Sequence, residues 1–139
     1  MKKITFLKIF IQTRWLHNFK SREALENYQK KQLAAYMDFL KRESPYFKNG
    51  VPHDFDHMDK AFMMTHFNEL NTQGVDRDEA LALAIESEKT RNFTELKGEI
   101  AVGLSSGTSG HRGLFITTEK ERSMWAAAIL AKMLPKGHL

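Results

Sequence analysis

Apolar residues recur mostly at spacings of three and four along the segment that begins near Ser21, which is the periodicity of an amphipathic helix. Ser21 is a suitable N-cap, and Ser44-Pro45 stops the helix after about Glu43. The stripe predicted to be buried consists of Leu25, Tyr28, Leu33, Tyr36, Met37 and Leu40. Helical structure is therefore expected from the start of this segment, and the stretch from Ser44 to Pro52 is expected to be a loop.

Start and stop signals predict two more helices in the helical segment 21–95. The first runs from about Lys60 to Leu70 and ends in the polar stretch 71–74. The second begins at Asp76, which forms an Asp-x-x-Glu capping box with Glu79, and runs to about Arg91. Its predicted inward face consists of Leu81, Ala84 and Ile85.

The pattern changes after residue 99. Short apolar runs at 100–104 and 114–117 predict two strands joined by a Ser/Gly-rich loop, 105–113. Thr118 and Glu121 predict the capping box of a last helix, which Pro135-Lys136-Gly137 ends. The predicted fold is α/β (α+β in the piece present): an amphipathic segment 1–20, the helical segment, and a strand–loop–strand–helix unit 99–139. Together they form a single partial domain, 1–139.

The loop combines hydroxyls, glycines and one cation in a way that suits a polyphosphate. Glycine lets backbone N–H groups turn toward an anion, hydroxyls add donors, and an arginine can fork onto two phosphate oxygens. The predicted phosphate-binding residues are Ser105, Ser106, Gly107, Thr108, Ser109, Gly110, Arg112 and Gly113. A Walker-type loop is excluded, because Gly113 and a strand pattern follow Arg112 where that motif opens a helix. A plain Ser/Gly hairpin or hinge is the alternative.

The stretch Ser105 to Gly113 resembles the phosphate-binding signature of the adenylate-forming superfamily, Ser-Ser/Thr-Gly-Thr-Thr-Gly-x-Pro-Lys-Gly. It differs in having Ser109 for the second threonine, one residue fewer before the cation, and Arg112 for lysine. These differences resemble the branch around phenylacetate–coenzyme A ligase and the capsule-associated relatives of a deazaflavin-coenzyme synthetase. The segments 58–64, 67–72, 119–122 and 125–135 are also similar to that branch.

The resemblance implies an ATP-dependent ligase that activates a carboxylic acid as acyl-AMP and releases pyrophosphate, with Mg²⁺ as the accompanying ion. Such enzymes are several times longer, and their magnesium ligand, acyl pocket and catalytic lysine come later in the sequence. This chain is therefore expected to be an N-terminal portion, with no catalytic residue and no metal ligand of its own, and to be inactive alone. Its exposed strand edges predict self-association. The alternative is a noncatalytic nucleotide- or anion-binding module, or a helical interaction module.

Charge and composition narrow the partners. The net charge is +4, but the basic residues are scattered among acids, so nucleic-acid binding is not expected. No cysteine is present, which fits a reducing, cytoplasmic location. The apolar start is interrupted by Lys8 and is too short to span a bilayer; it predicts an amphipathic helix or strand, with weak contact to a membrane surface as an alternative.

Two minor alternatives are a metal site and an apolar ligand pocket. Their candidate residues are His53, Asp54, Asp56, His57, Asp59 and His66 for the metal, and Met58, Met63 and Met64 for the pocket.

Overall fold

The computed structural model describes residues 2–48, 58–107 and 112–135. In these ranges the chain is mostly helical, with seven α-helices and one two-stranded antiparallel sheet, so the prediction of mixed helix and strand is confirmed. The helices are α1 (Lys2–Ile11), α2 (Arg22–Glu43), α3 (Pro45–Lys48), α4 (Lys60–Thr65), α5 (Phe67–Leu70), α6 (Arg77–Thr90) and α7 (Glu119–Met133). A π-helical turn, Gln12–Leu16, follows α1, and the strands are β1 (Ile100–Leu104) and β2 (Leu114–Thr118).

The chain divides into two compact units. The terminal unit consists of Met1–Glu26 and Thr117–Leu139, the two ends of the chain, and the central unit consists of Asn27–Ile116. The described ends of the candidate phosphate loop, 105–107 and 112–113, belong to the central unit.

In the terminal unit, α1 and the π-helical turn pack against α7. Ala127 and Ala131 of α7 are buried one turn apart, and their small side chains allow close approach. The helix begins with the predicted capping box: Thr118 Oγ1 accepts from the Glu121 N–H at 3.2 Å, and the Glu121 carboxylate accepts from the Thr118 N–H at 2.8 Å. Because both halves are present, the predicted start of this helix is confirmed.

The core of the central unit forms where α6 packs against β1. Its buried residues are Phe67, Val75, Ala80, Ala84, Leu96, Ile100 and Leu114. Helix α6 begins at the predicted N-cap, since the Asp76 carboxylate accepts from the N–H groups of Asp78 (2.9 Å) and Glu79 (3.0 Å). It ends at Arg91, whose left-handed backbone (φ 59°) forms the C-cap. The predicted bounds of this helix are confirmed.

Two predicted buried faces are partly wrong. In α6 the buried residues are Ala80, Ala84 and Ser87, whereas Ile85 is exposed, because small side chains let the helix approach its neighbour closely. In α2 the bounds agree with the prediction and the Ser21 hydroxyl caps the helix, but of the predicted stripe only Leu40 is buried. Leu25, Leu33 and Tyr36 are exposed, and Tyr28 and Met37 are half-buried.

The structure also divides a helix that the sequence predicts as continuous. Between Lys60 and Leu70 the chain forms α4 and α5, which are separated at His66. Asp59 caps α4 by accepting from the Phe62 N–H at 2.7 Å. The predicted loop after Ser44 begins with the short helix α3, so its first residues are helical rather than irregular.

Candidate phosphate-binding loop

Strands β1 and β2 fix the two ends of the Ser/Gly-rich loop. The strands confirm the predicted runs, with β2 one residue longer at Thr118. Of the loop itself, the structure describes 105–107 and 112–113, while Thr108, Ser109, Gly110 and His111 lie outside the described residues. The geometry of the candidate site is therefore that of the two loop ends and the groups around them.

Ser105 and Gly113 close the base of the loop. The Ser105 N–H donates to the Gly113 carbonyl at 2.8 Å, and the Gly113 N–H donates to Ser105 Oγ at 2.7 Å. The predicted hydroxyl donor Ser105 thus acts as an acceptor within the loop. A serine hydroxyl carries one donor and two acceptor positions, so this bond leaves its O–H able to donate to a ligand.

Gly107 lies under the side chain of Arg112. Its φ is +72°, in the left-handed region that favours glycine, and a Cβ built on it would lie 2.8 Å from Arg112 Cγ. Ser106, between Ser105 and Gly107, is exposed. The first half of the loop therefore turns sharply at Gly107, and the stem of Arg112 packs against the glycine backbone.

The guanidinium of Arg112 is held by α6. Its Nη1 donates to Glu88 Oε2 at 2.7 Å and its Nη2 donates to Glu88 Oε1, while Nε donates to the Ser105 carbonyl at 3.1 Å. The two side chains are 43% and 45% exposed, so the pair forms at the surface. The fork predicted to hold phosphate oxygens therefore holds a carboxylate in this structure.

Electrostatics follow this geometry. The hydrogen bonds from Arg112, assisted by the charges of Arg112 and Arg91, hold the pKa of the Glu88 carboxyl below its ordinary value, against a weaker opposing effect of desolvation. The same bonds raise the pKa of Arg112. Both groups are charged at neutral pH. Sequence reasoning missed Glu88, because it lies 24 residues before Arg112 and no local pattern links the two.

An apolar cavity of about 470 Å³ opens beside the closing pair of the loop. Met63 and Met64, two of the three methionines proposed from the sequence to line a pocket, lie in its wall, and Met64 Sδ accepts from the Leu114 N–H at 3.3 Å. The rest of the wall consists of Lys60, Phe67, Leu70, Asn71, Ser105, Gly113, Leu114, Phe115 and Ile116. A predominantly apolar wall suits an uncharged group better than a phosphate.

No metal centre emerges in the described ranges. There, no group of three or more His, Cys, Asp or Glu side chains could hold a metal ion. Asp59 instead caps α4, and His66 lies 3.6 Å from the Glu69 carboxylate. The other proposed ligands, His53, Asp54, Asp56 and His57, lie outside the described residues. We therefore assign no residue to the Mg²⁺ that the resemblance implies.

Comparisons of the chain with protein-family models, curated proteins and solved structures give no match. Among the helices of the described ranges, none combines the length and apolarity needed to cross a membrane.

Proposed function

We propose that this chain supplies the phosphate-binding loop of an ATP-dependent adenylate-forming ligase, which activates a carboxylic acid as acyl-AMP and releases pyrophosphate. The observation that carries the proposal is the placement of Arg112 at the closed base of a glycine- and hydroxyl-rich loop between two strands. In this proposal the chain is part of a larger adenylating domain, ATP is the nucleotide, and the isolated chain does not turn over.

The loop would act by neutralising charge. Pyrophosphate is the leaving group when a carboxylate attacks the α-phosphorus, and its developing negative charge is stabilised by preorganised donors. Arg112 would bind β- or γ-phosphate oxygens through its fork. The hydroxyls of Ser105, Ser106, Thr108 and Ser109, with backbone N–H groups of the glycines, would complete the cradle.

Glu88 fits this proposal as an internal anion that occupies the fork before ATP arrives. Only its side chain has to leave, because the Nε bond to the Ser105 carbonyl holds the guanidinium in place independently of Glu88. Arg91 lies close enough for its charge to lower the pKa of Glu88, so a displaced carboxylate keeps a cation nearby. Because Glu88 has to be displaced first, its pairing with Arg112 lowers the affinity of every ligand that binds the Arg112 guanidinium by the same factor.

The experiment is a titration of MgATP with the full 139-residue chain, followed by ³¹P NMR. We expect weak binding that broadens the β- and γ-phosphate resonances more than the α resonance. Arg112→Ala should lower the affinity about tenfold, since it removes charge-assisted hydrogen bonds. Glu88→Gln should raise it about threefold, since it removes the competing anion.

Two matched variants control for charge. Arg22→Ala removes a 90% exposed arginine from the terminal unit, and Glu86→Gln removes an exposed carboxylate from α6; neither should change the affinity. We also expect no exchange of pyrophosphate into ATP on addition of carboxylic acids. Absence of any ³¹P broadening, or equal losses in Arg112→Ala and Arg22→Ala, would contradict the proposal.

A helical interaction module, in which the loop is only a hinge, is the second candidate. It is favoured by the same Arg112–Glu88 pair, because an arginine already paired across α6 and the loop can be purely structural. On that hypothesis Glu88→Gln lowers stability without creating any affinity for ATP or pyrophosphate. The titration above distinguishes the two candidates.

A further inference from the structure

The start of the chain differs in charge from everything that follows it. Six of the 21 Lys and Arg residues lie within residues 2–22, and none of the 17 Asp and Glu residues does; the first acid is Glu23. The remaining 15 basic and 17 acidic residues give the rest of the chain a formal charge of −2. The positive charge of this protein is therefore concentrated at the N-terminal helix and the residues just after it.

This basic segment also carries an exposed apolar face. Ile4, Leu7, Ile11 and Trp15 are 75%, 58%, 40% and 55% exposed, and they recur at spacings of three and four along α1 and the π-helical turn. At such spacings the side chains lie on one side of a helix. We call these four residues the apolar stripe. Lys3 and Lys8, which are exposed as well, lie on either side of its first two residues.

The opposite side of α1 is already used. Phe6, Ile9 and Phe10 are half-buried in the terminal unit, where α1 packs against α7. The Phe10 ring also meets the Trp15 ring edge-on, with centroids 5.9 Å apart, which orients the indole. The apolar stripe is therefore left exposed by a helix that is anchored to its own unit.

We propose that the apolar stripe is a docking surface for an anionic membrane surface, on which α1 lies parallel to the bilayer plane. Apolar side chains with a tryptophan on one face, flanked by lysines, are the features of an interfacial helix. Lysine stems can lie along the acyl boundary while their ammonium groups reach the headgroups. Each such lysine adds attraction to an anionic leaflet.

Charge argues against the other occupants. A second copy of the same face would bring two segments together that have basic residues and no acids, which is repulsive. A nucleic acid would be attracted by the lysines but gains nothing from a row of aliphatic side chains, since its affinity comes mainly from phosphate contacts. An anionic bilayer satisfies both the charge and the apolar surface.

The test is sedimentation of the full chain with vesicles of phosphatidylcholine, with and without phosphatidylglycerol. We expect binding at least about tenfold stronger when phosphatidylglycerol is present, weakening as salt is added. Leu7→Ser should weaken binding about tenfold and Lys8→Gln about fivefold. Leu33→Ser and Lys31→Gln, matched changes at exposed positions of α2, should leave it unchanged. Circular dichroism checks that each variant is folded.

A spectroscopic measurement separates insertion from simple adhesion. In a Trp125→Phe background, Trp15 is the only tryptophan, and its emission should shift to shorter wavelength on binding the anionic vesicles. Three outcomes would overturn the proposal. The first is equal binding to both kinds of vesicle. The second is binding that depends on Lys8 but not on Leu7, which is the behaviour expected toward any polyanion, including nucleic acid. The third is a dimer in gel filtration that Leu7→Ser abolishes. None of these outcomes depends on whether the chain binds ATP.

Discussion

Two arginines, one in each unit, form three or more hydrogen bonds with very different partners. In the terminal unit, Arg14 donates to the carbonyls of Ala131 (3.0 Å), Leu134 (2.6 Å) and Pro135, all at the end of α7. In the central unit, Arg112 donates once to a carbonyl and twice to the Glu88 carboxylate. Both guanidiniums are thus bound, but only one of them is bound to an anion.

The difference indicates what each arginine can do. The last carbonyls of a helix have no partner within it, and their position is fixed by the backbone, so Arg14 completes a structural element. Glu88 is an exposed side chain, and another anion can replace it without any movement of the backbone. An arginine paired with a side-chain carboxylate at a loop rim is therefore a candidate ligand-binding group, whereas one that caps a helix end is not.

The largest predicted effect that tests the difference between Arg14 and Arg112 is a loss of folding stability. Arg14→Ala should lower the free energy of unfolding of the terminal unit by about 2 kcal/mol, because it leaves helix-end carbonyls without their charged donor. Both tryptophans of the chain, Trp15 and Trp125, lie in this unit, so urea unfolding followed by tryptophan fluorescence reports on it.

Arg22 supplies the control for that measurement. It also lies in the terminal unit, but its only described ion pair is with Glu26, one turn away, and its side chain is 90% exposed. Arg22→Ala should change the free energy of unfolding by less than about 0.5 kcal/mol. If the two alanine variants lose the same stability, the capping role of Arg14 is wrong.

A smaller effect is expected in the central unit from Gly107→Ala. The substitution places a Cβ at a left-handed φ and against Arg112 Cγ, and it should cost about 1 kcal/mol, measured by urea unfolding followed by circular dichroism. Because it also displaces the arginine stem, it should weaken MgATP binding.

Gly113→Ala is the matched control, since Gly113 lies at the other end of the same loop. Its φ is not in the left-handed region, and its added Cβ would lie 3.4 Å from the Lys60 stem, an ordinary contact. We expect little change in stability or binding. A Gly113→Ala variant as damaged as Gly107→Ala would mean that the loop tolerates no side chain, whatever its backbone conformation.

Local signals in the sequence predict most of the elements of this fold, although not α3 or the division between α4 and α5. The caps at Ser21, Asp76 and Thr118 each involve residues within three positions of one another, so a single sequence carries them. The two strands around the loop are predicted from short apolar runs, which are also local. The sequence does not predict the break at His66, because residues on both sides of it favour helix. Only the packed structure separates α4 from α5.

Contacts between residues that lie far apart along the chain could not be predicted from the sequence. The sequence predicts Leu81, Ala84 and Ile85 as the buried face of α6, whereas the buried residues of the helix are Ala80, Ala84 and Ser87, so only Ala84 is common to both. The loop composition predicts a phosphate as the partner of Arg112, because Glu88 lies in a separate element, α6, and no local pattern links it to the loop. For the candidate site, the sequence therefore identifies Arg112 as the cation but does not identify Glu88 as the anion that competes with phosphate for it.

The smallest predicted effect concerns pH and the N-cap of α6. Hydrogen bonds from the Glu79 N–H, and then from the Asn68 amide, lower the pKa of Asp76 from its ordinary 3.8. A carboxyl whose pKa is lowered by folding stabilises the protein above its unfolded pKa, and this stabilisation is lost as the pH falls through the folded value. The central unit should therefore lose stability below about pH 4. Glu88, whose pKa is also lowered, contributes with the same sign.

Asp76→Asn tests this, because asparagine keeps an oxygen that can cap α6 but does not titrate. The difference in the free energy of unfolding between about pH 5 and pH 3, followed by circular dichroism, should be smaller in the variant than in the wild type. The control is Asp38→Asn on the exposed surface of α2, which should leave the difference as it is. An unchanged difference in Asp76→Asn would mean that the acid sensitivity of the central unit does not come from the cap of α6.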